Sequence, residues 1–418
     1  AIHGDSVHLP EGMSDRTSPL RRKFDPFREN EGHVIRMDPD GTNPEIFCGG
    51  LRNPYGLDFN TDGGAFTYDA DAEFDMGTPW YRPTQVKHLT SGADFGWRAV
   101  TGSWPPYFPD HPDNTQAAID IGKGSPTGVK FGTSSHFPVD YQRALYLLDW
   151  TYGRILAVHL IPRGSSYMGA TEVFLRGQPL NVTELGFGPD GAMYVCDWYN
   201  PVKGHAQYSL RDERRDRVSG RIFRIMPKGS KPQKMPRIDG APLGQLLDIL
   251  KRREYRYRYW AKRELRERDP AKAKAAIDSW VAKLDPTDPR HRHHQIEAVW
   301  TYRGIDATNT QLLGELLECD DHRARAAATH QFRYWHDQFD NGPALLRKLA
   351  NDPSGLVRME AAIAASYIGT PAALDALLDT IKHPNIGHLS YAIRTALGSR
   401  MIEPLWKGNA DFIAEHPE

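Results

Sequence analysis

Residues Gly49 to Trp97 read GGLRNPYGLDFNTDGGAFTYDADAEFDMGTPWYRPTQVKHLTSGADFGW, and the first half of that stretch decides the fold. Leu57 and Phe59 alternate with polar residues, the pattern of a half-buried strand. Thr61-Asp62-Gly63-Gly64 supplies the Asp and Gly that a tight reversal needs. Phe66-Thr67-Tyr68 is a second strand of good β formers, and it ends on Asp69. The unit recurs: Leu185–Phe187, the turn Gly188-Pro189-Asp190-Gly191 and Ala192–Cys196 end on Asp197. Val129–Gly132 and Leu145–Leu148, with a longer turn between them, end on Asp149. Asp62 to Asp69 and Asp190 to Asp197 are both seven residues apart, and two copies continue as Asp149-Trp150 and Asp197-Trp198. Repeated strand–turn–strand units with turn glycines predict an all-β propeller, over about residues 1–228, with the recurrent aspartates at one end.

Three units are clear. His33–Met37 with the Asp38-Pro39-Asp40-Gly41 turn is a further strand, and residues 1–32 are polar and degenerate. Propellers close with about four to eight blades, so either opening blades lie upstream of residue 1 or residues 1–32 contribute more than their pattern reveals. The start at Ala1-Ile2-His3-Gly4, without an initiator Met, reads as a mature product or a fragment.

After Pro227 the composition changes. A Lys-, Pro- and Gly-containing linker, 229–240, leads into helical patterning over 241–418. Arg258, Arg292, Arg325 and Arg358 recur at separations of 34, 33 and 33. The fullest copy, Leu349-Ala350-Asn351-Asp352-Pro353 to Val357-Arg358-Met359-Glu360-Ala361-Ala362, resembles the HEAT repeat and implies an α-solenoid.

Formal net charge is −1, so no global field points to nucleic acid or a membrane surface. No apolar run is long enough to span a bilayer. Three dispersed cysteines, Cys48, Cys196 and Cys319, make neither a disulfide framework nor a C-x-x-C motif.

Several segments together resemble a family of planctomycete and verrucomicrobial proteins described as membrane-bound dehydrogenases with a haem-binding C-terminus. They are Tyr68–Gly77, Pro79–Pro83, Gly124–Gly128, Asp149–Gly153, Asp197–Pro201 with Gly204-His205, and Arg215-Asp216 with Gly220–Ile222. The resemblance implies a periplasmic or other extracytoplasmic location and a cytochrome c-type electron acceptor. The C-x-x-C-H motif of that family's haem domain is not in this sequence, so no covalent haem is expected in this chain. Gly50–Leu57 also resembles a motif of quinoprotein glucose and sorbosone dehydrogenases, and Gly92–Trp97 resembles a later one. That resemblance implies pyrroloquinoline quinone held by Arg52 and Asn53. Where those relatives carry three further cations, this chain has Thr151, Asn181 and Thr183. A tricarboxylate wants planar cationic forks, so the donor set for the quinone is partial.

The alternating Asp69, Asp71, Glu73 and Asp75 present hard oxygens suited to Ca²⁺, against a plain acidic edge. Oxidising an alcohol needs a general base near neutral pH; His205 and His3 are the candidates, against loop histidines bonded to backbone. Asp149, Asp197, Trp150 and Trp198 are read as a substrate cleft, the indoles stacking on a sugar ring. The alternative is that the aspartates only cap turns by accepting N–H bonds. The aromatic, Pro-rich insertion from Trp97 to Pro109 is expected over the same end. Lys251–Arg268 and His291, His293 and His294 are read as solvated helix surface, with Arg258 and Arg268 pairing with Glu254 and Glu264. The expected function is oxidation of a sugar or polyol alcohol, with electrons passed to a quinone-type cofactor or separate redox partner. The alternative is a non-catalytic carbohydrate- or protein-binding propeller whose HEAT repeats dock a partner.

Overall fold

The computed structural model describes residues 2–3, 32–70, 83–96, 114–202, 209 and 211–409, with residues 2–3 described as backbone only. Its N-terminal region is four antiparallel sheets met in chain order, each a meander. The first holds β1 (Ile2–His3), β2 (Gly32–Arg36) and β3 (Glu45–Leu51). The second holds β4 (Leu57–Phe59), β5 (Ala65–Asp69), β6 (Thr84–Leu89) and β7 (Ile119–Gly122). The third holds β8 (Pro126–Phe131), β9 (Leu145–Asp149), β10 (Arg154–Arg163) and β11 (Ser166–Arg176). The fourth holds β12 (Val182–Phe187), β13 (Met193–Asp197) and β14 (Arg221–Ile225).

Neighbouring sheets pack face to face through apolar side chains. Val34 and Cys48 meet Leu89 and Phe95 between the first pair. Phe66, Tyr68 and Val86 meet Val129, Phe131 and Leu147 between the second pair. Tyr146, Leu148 and Ile155 meet Leu185, Phe187 and Met193 between the third pair. Such burial contributes about 25 cal/mol per Å² of apolar surface. Among the described residues no strand pairing joins the fourth sheet to the first.

One strand runs inside out relative to its expected pattern. Phe59 is 46% exposed and Asp58 is buried. The reason is a hydrogen-bonded link to the next sheet, in which Asp58 accepts from the Phe131 amide at 2.7 Å and from Lys130 Nζ at 3.1 Å.

From Leu243 onward every regular element of the described residues is helical. The helices are α1 (Leu243–Ile249), α2 (Tyr255–Arg266), α3 (Pro270–Val281), α4 (His291–Gly304), α5 (Thr310–Leu317), α6 (His322–Trp335), α7 (Gly342–Ala350), α8 (Gly355–Ile368), α9 (Pro371–Asp379), α10 (Leu389–Leu397) and α11 (Glu403–Trp406). Local chemistry sets their starts: Asp269 and Thr370 cap α3 and α9 ahead of a proline at the first helical position, and Asn309 caps α5.

The arginine repeat is real at three of its four positions. Arg258, Arg325 and Arg358 are each the fourth residue of their helix, and each donates Nη1 to the carbonyls five and six residues back, at 2.6–3.1 Å. Each thereby ties the connection that enters its helix. Arg292 is the second residue of α4 and instead bonds Gln295 at 3.0 Å. The equivalent fourth position of α4 is the buried His294.

The helices lie across the hairpin ends of all four sheets. Arg36 of the first sheet stacks over Tyr334 at 5.0 Å, and Tyr367 bonds Glu45. Gly63, in the β4–β5 turn, abuts Trp300. Ser165, in the β10–β11 turn, donates to Ile386 O and accepts from the Leu389 amide, both at 2.7 Å. In the fourth sheet, Phe187 and Pro189 offer carbonyls to Arg256 and Tyr257 at 2.7 and 2.5 Å. Part of the Lys251–Arg268 stretch is therefore a docking seam, which corrects its reading as a solvated face there, while Tyr259, Trp260, Arg263 and Arg266 remain exposed. Arg268 does pair with Glu264 at 2.5 Å, but Arg258 pairs with buried Glu297 at 2.7 Å, and Glu254 bonds Gln233 at 2.9 Å and Ser135.

Gly355 fits this seam only because it lacks a side chain. A Cβ there would lie 2.7 Å from the Gly164 carbonyl carbon. Gly355→Ala is expected to destabilise the chain by about 1–3 kcal/mol through overpacking, read as a lowered denaturant midpoint at unchanged slope.

Candidate functional site at the Asp-Trp end

The helices occupy one end of the strands, and the three recurrent aspartates mark the other. Asp69, Asp149 and Asp197 are the last residues of β5, β9 and β13, the second strands of their respective pairs. All three carboxylates are buried, and they repeat one arrangement. Each accepts from the amides of the loop leading into its own sheet and pairs with a cation on the following strand. Asp69 takes the Arg52 and Asn53 amides, both at 3.0 Å, and Lys87 Nζ at 3.0 Å. Asp149 takes the Ser125 amide at 3.1 Å and Arg154 Nε at 2.8 Å. Asp197 takes the Asn181 amide at 2.7 Å and Arg221 Nε at 2.7 Å. A carboxylate that accepts several N–H bonds and pairs with a cation has its acceptor capacity taken up within the framework. The structure thus gives these aspartates the turn-capping role, set behind the surface they organise.

The contacts put the three at one end. A Cβ on Gly124 would fall 2.9 Å from Asp149 Oδ2 and 3.1 Å from Tyr68 Oη, beside Asp69. Trp150 and Trp198, directly after two of the aspartates, meet with ring centroids 5.5 Å apart at 38°. Their backbone amides bond Ser125 O and Asn181 O at 3.1 and 3.0 Å, so both sit in equivalent turns. Trp198 is 40% exposed, and Trp150 is partly so.

Further aromatics lie in the loops at this end that the sequence reading did not select. Tyr55, in the loop after Arg52 and Asn53, is 60% exposed, and Tyr152 is 46% exposed. Arg154 stacks over Tyr152 at 4.9 Å and Arg221 over Tyr199 at 4.1 Å. Tyr199 has φ of +47°, a left-handed conformation uncommon for a bulky residue; its amide is held by Asp197 at 3.2 Å. The signal for Tyr152 and Tyr199 was their place one or two residues beyond each Asp-Trp pair. Arg52 is half-buried and Asn53 exposed at this same end. Asp71, Glu73, Asp75, His205 and the insertion from Trp97 to Pro109 lie outside the described residues, as does the side chain of His3.

The fit to the expected cofactors can be tested on these residues. Asp69 has both oxygens engaged by amides and an ammonium, which does not suit a Ca²⁺ ligand, and among the described residues no group of His, Cys, Asp or Glu could hold a metal ion. For the quinone, Arg154 and Arg221 are neutralised by Asp149 and Asp197. Thr151 bonds Ser125, and Asn181 Nδ2 donates to Asn200 O. That set does not fit a tricarboxylate. Nor are the helix-start histidines solvated: His294 is buried, and burial first, then neighbouring arginines, depress His293 to about 3 and His294 to about 4.

A family model described as a domain of unknown function (DUF7133) matches residues 5–229, and one described as HEAT repeats matches residues 310–398. No curated protein matches. Among solved structures, the chain is similar to an oxidoreductase of Thermus thermophilus described as a glucose dehydrogenase. Identity is 21%, over 44% of this chain and 48% of that one, with a TM-score of 0.32. It is also similar to a glucose dehydrogenase at 19% identity, over 46% and 49% of the two chains, with a TM-score of 0.32. The PQQ-bound aldose sugar dehydrogenase of Streptomyces coelicolor matches at 14% identity, over 41% and 48%, with a TM-score of 0.30. The chain thus spans about half the length of the solved structures it matches. Among the described residues no helix is long and apolar enough to cross a membrane.

Proposed function

The chain belongs to the family described as a domain of unknown function (DUF7133), and we propose that within it this protein is a carbohydrate-recognition propeller braced by HEAT repeats, with its saccharide site at the Asp-Trp end. The observation that carries the reading is the Trp150–Trp198 pair, partly exposed at the end the helices leave open, where Tyr55 and Tyr152 are exposed in neighbouring loops. Aromatic faces with a polar rim suit the alternating apolar and hydroxyl faces of a sugar ring. Asn53 and the Ser125–Thr151 hydroxyl pair supply neutral hydrogen-bonding groups on that rim. The buried aspartates act indirectly, by fixing the loops that present these side chains. The extracytoplasmic setting and the division at 1–228, 229–240 and 241–418 go with this reading.

Trp198→Ala is expected to weaken binding of a neutral oligosaccharide about tenfold, the loss of one stacking contact of about 1.4 kcal/mol. Stability should move by no more than about 0.5 kcal/mol, as for an exposed position. Titration calorimetry against a saccharide panel measures the affinity and denaturant unfolding the stability: no saccharide bound by the wild type, or equal affinity in the variant, rejects the proposal. A second reading, oxidation of the sugar with electrons passed to a separate redox partner, rests on Arg52 and Asn53 standing at the same end. Bleaching of an artificial electron acceptor on adding sugar favours it; saccharide binding without bleaching favours recognition alone.

A further inference from the structure

Between the hairpin ends of the second and third sheets and helices α2, α4 and α6 lies a cavity of about 180 Å³. Its wall carries six arginines: Arg143 from the β8–β9 connection, Arg253 and Arg258 around the start of α2, Arg290 and Arg292 at the start of α4, and Arg323 on α6. Two carboxylates, Asp62 and Asp321, share that wall.

The hydrogen bonds show which charges are already answered. Arg323 is gripped by Asp321 at 2.9 and 3.1 Å, and Arg258 by Glu297 at 2.7 Å. Arg253 gives Nη1 to the neutral Gln142 amide oxygen at 2.8 Å, and Arg290 gives Nη1 to the Lys251 carbonyl at 2.8 Å. Among the described residues the guanidinium groups of Arg143, Arg253 and Arg290 are in no ion pair with a carboxylate within 4.0 Å, while the Arg290 backbone amide donates to Asp288 Oδ1 at 2.7 Å. Burial, then the adjacent Arg258 and Arg253, lower the Arg290 pKa, with Asp288 and Glu297 acting in the opposite sense.

We propose that this cavity is a binding site for one small tetrahedral oxyanion of the phosphate or sulfate class, held by Arg143, Arg253 and Arg290 and bridging the sheet and helical regions. Guanidinium forks match tetrahedral oxyanions bidentately. A partly desolvated seam strengthens each contact relative to water. The volume lies below the roughly 300–1,000 Å³ of sites for drug-sized ligands, which restricts the occupant to a small ion. Because the walls come from both regions, a bound anion stabilises their docking, and it does so independently of any saccharide at the opposite end.

The test uses the full chain and titration calorimetry with inorganic phosphate and with inorganic sulfate, ionic strength being held constant with chloride. Saturable binding at one site per chain is expected for at least one of the two, together with a rise in melting temperature that chloride does not reproduce. Arg143→Gln with Arg290→Gln should weaken it at least about tenfold, since two charge-assisted contacts are lost. Far-UV circular dichroism checks that the double variant folds. If it does not, Arg143→Gln alone decides, because that exposed side chain lies outside the helix packing; Arg143→Lys should restore part of the affinity. The proposal is overturned if neither ion binds saturably, or if the folded variants bind as tightly as the wild type.

Discussion

Asp69→Ala is expected to lower the unfolding free energy by about 3–5 kcal/mol, the cost of leaving a buried charge without its partner. Asp69 and Lys87 form the most enclosed of the three aspartate–cation pairs, with side-chain exposures of 0% and 4%. Removing the carboxylate strands the ammonium, whose remaining contact among the described residues is the Phe95 ring 5.3 Å away, and frees the amides of Arg52 and Asn53. The loss should diminish along the repeat, because Arg154 and then Arg221 are progressively better solvated, at 18% and 35% exposure. Denaturant unfolding of Asp69→Ala, Asp149→Ala and Asp197→Ala measures the order. A chelator applied to the wild type should not reproduce the Asp69→Ala loss. Equal, small effects at all three positions would remove the aspartates from the framework and return them to the ligand.

Acid is expected to weaken the seam between sheets and helices. His88 and His388 are fully buried there and stack at 5.2 Å. The Ser166 hydroxyl lies between them, 3.1 and 3.2 Å from their ring nitrogens, and His388 also reaches Thr90 and the Gln116 carbonyl. Burial holds His388 down to about 4 from its ordinary 6.5; burial, then the neighbouring His388, holds His88 well below the same value. The folded chain therefore keeps these rings neutral while the unfolded chain protonates them below pH 6.5. Their stabilising contribution is complete above pH 6.5 and is lost as pH falls toward 4. For His388 alone this amounts to about 2 kcal/mol at pH 5, and His88, His293 and His294 act in the same direction. Unfolding followed at pH 7 and pH 5 checks the sign, and His388→Gln should shrink the difference. Stability that is flat or rising toward pH 5 would show the pair to be already charged.

Which of these features were legible beforehand follows from their physics. The β4–β5 and β12–β13 units announced themselves because turn glycines and terminal aspartates are local devices at fixed spacing. The third unit was visible despite its longer turn because Leu145–Leu148 is a continuous apolar run ending on Asp149. The partner of Asp69 was hidden: all six residues of β6 are buried, so no alternation exposes Lys87 as an inward cation. Asp58 broke the pattern in the opposite sense, since its burial is set by a contact with the next sheet, far off in sequence. In the helices the letter Arg recurred at Arg292, yet the structural register falls on His294, where burial rather than residue identity preserves the repeat. The docking seam left the weakest trace, because a helix surface rich in Arg and Tyr looks solvated until its donors find the carbonyls of Phe187 and Pro189. At the Asp-Trp end the indoles and Arg52 were readable from motifs, whereas Tyr55 became a site residue only through exposure.

The most direct test is a crystal of the chain grown or soaked with the tightest-binding neutral saccharide from the titration panel. Density for a sugar ring is expected against Trp150 and Trp198, with hydroxyls within hydrogen-bonding reach of the Asn53 and Ser125–Thr151 rim, and with Asp69, Asp149 and Asp197 still paired to Lys87, Arg154 and Arg221. A saccharide bound directly by those aspartates, or bound in the seam with the indole pair bare, would contradict the proposed saccharide site.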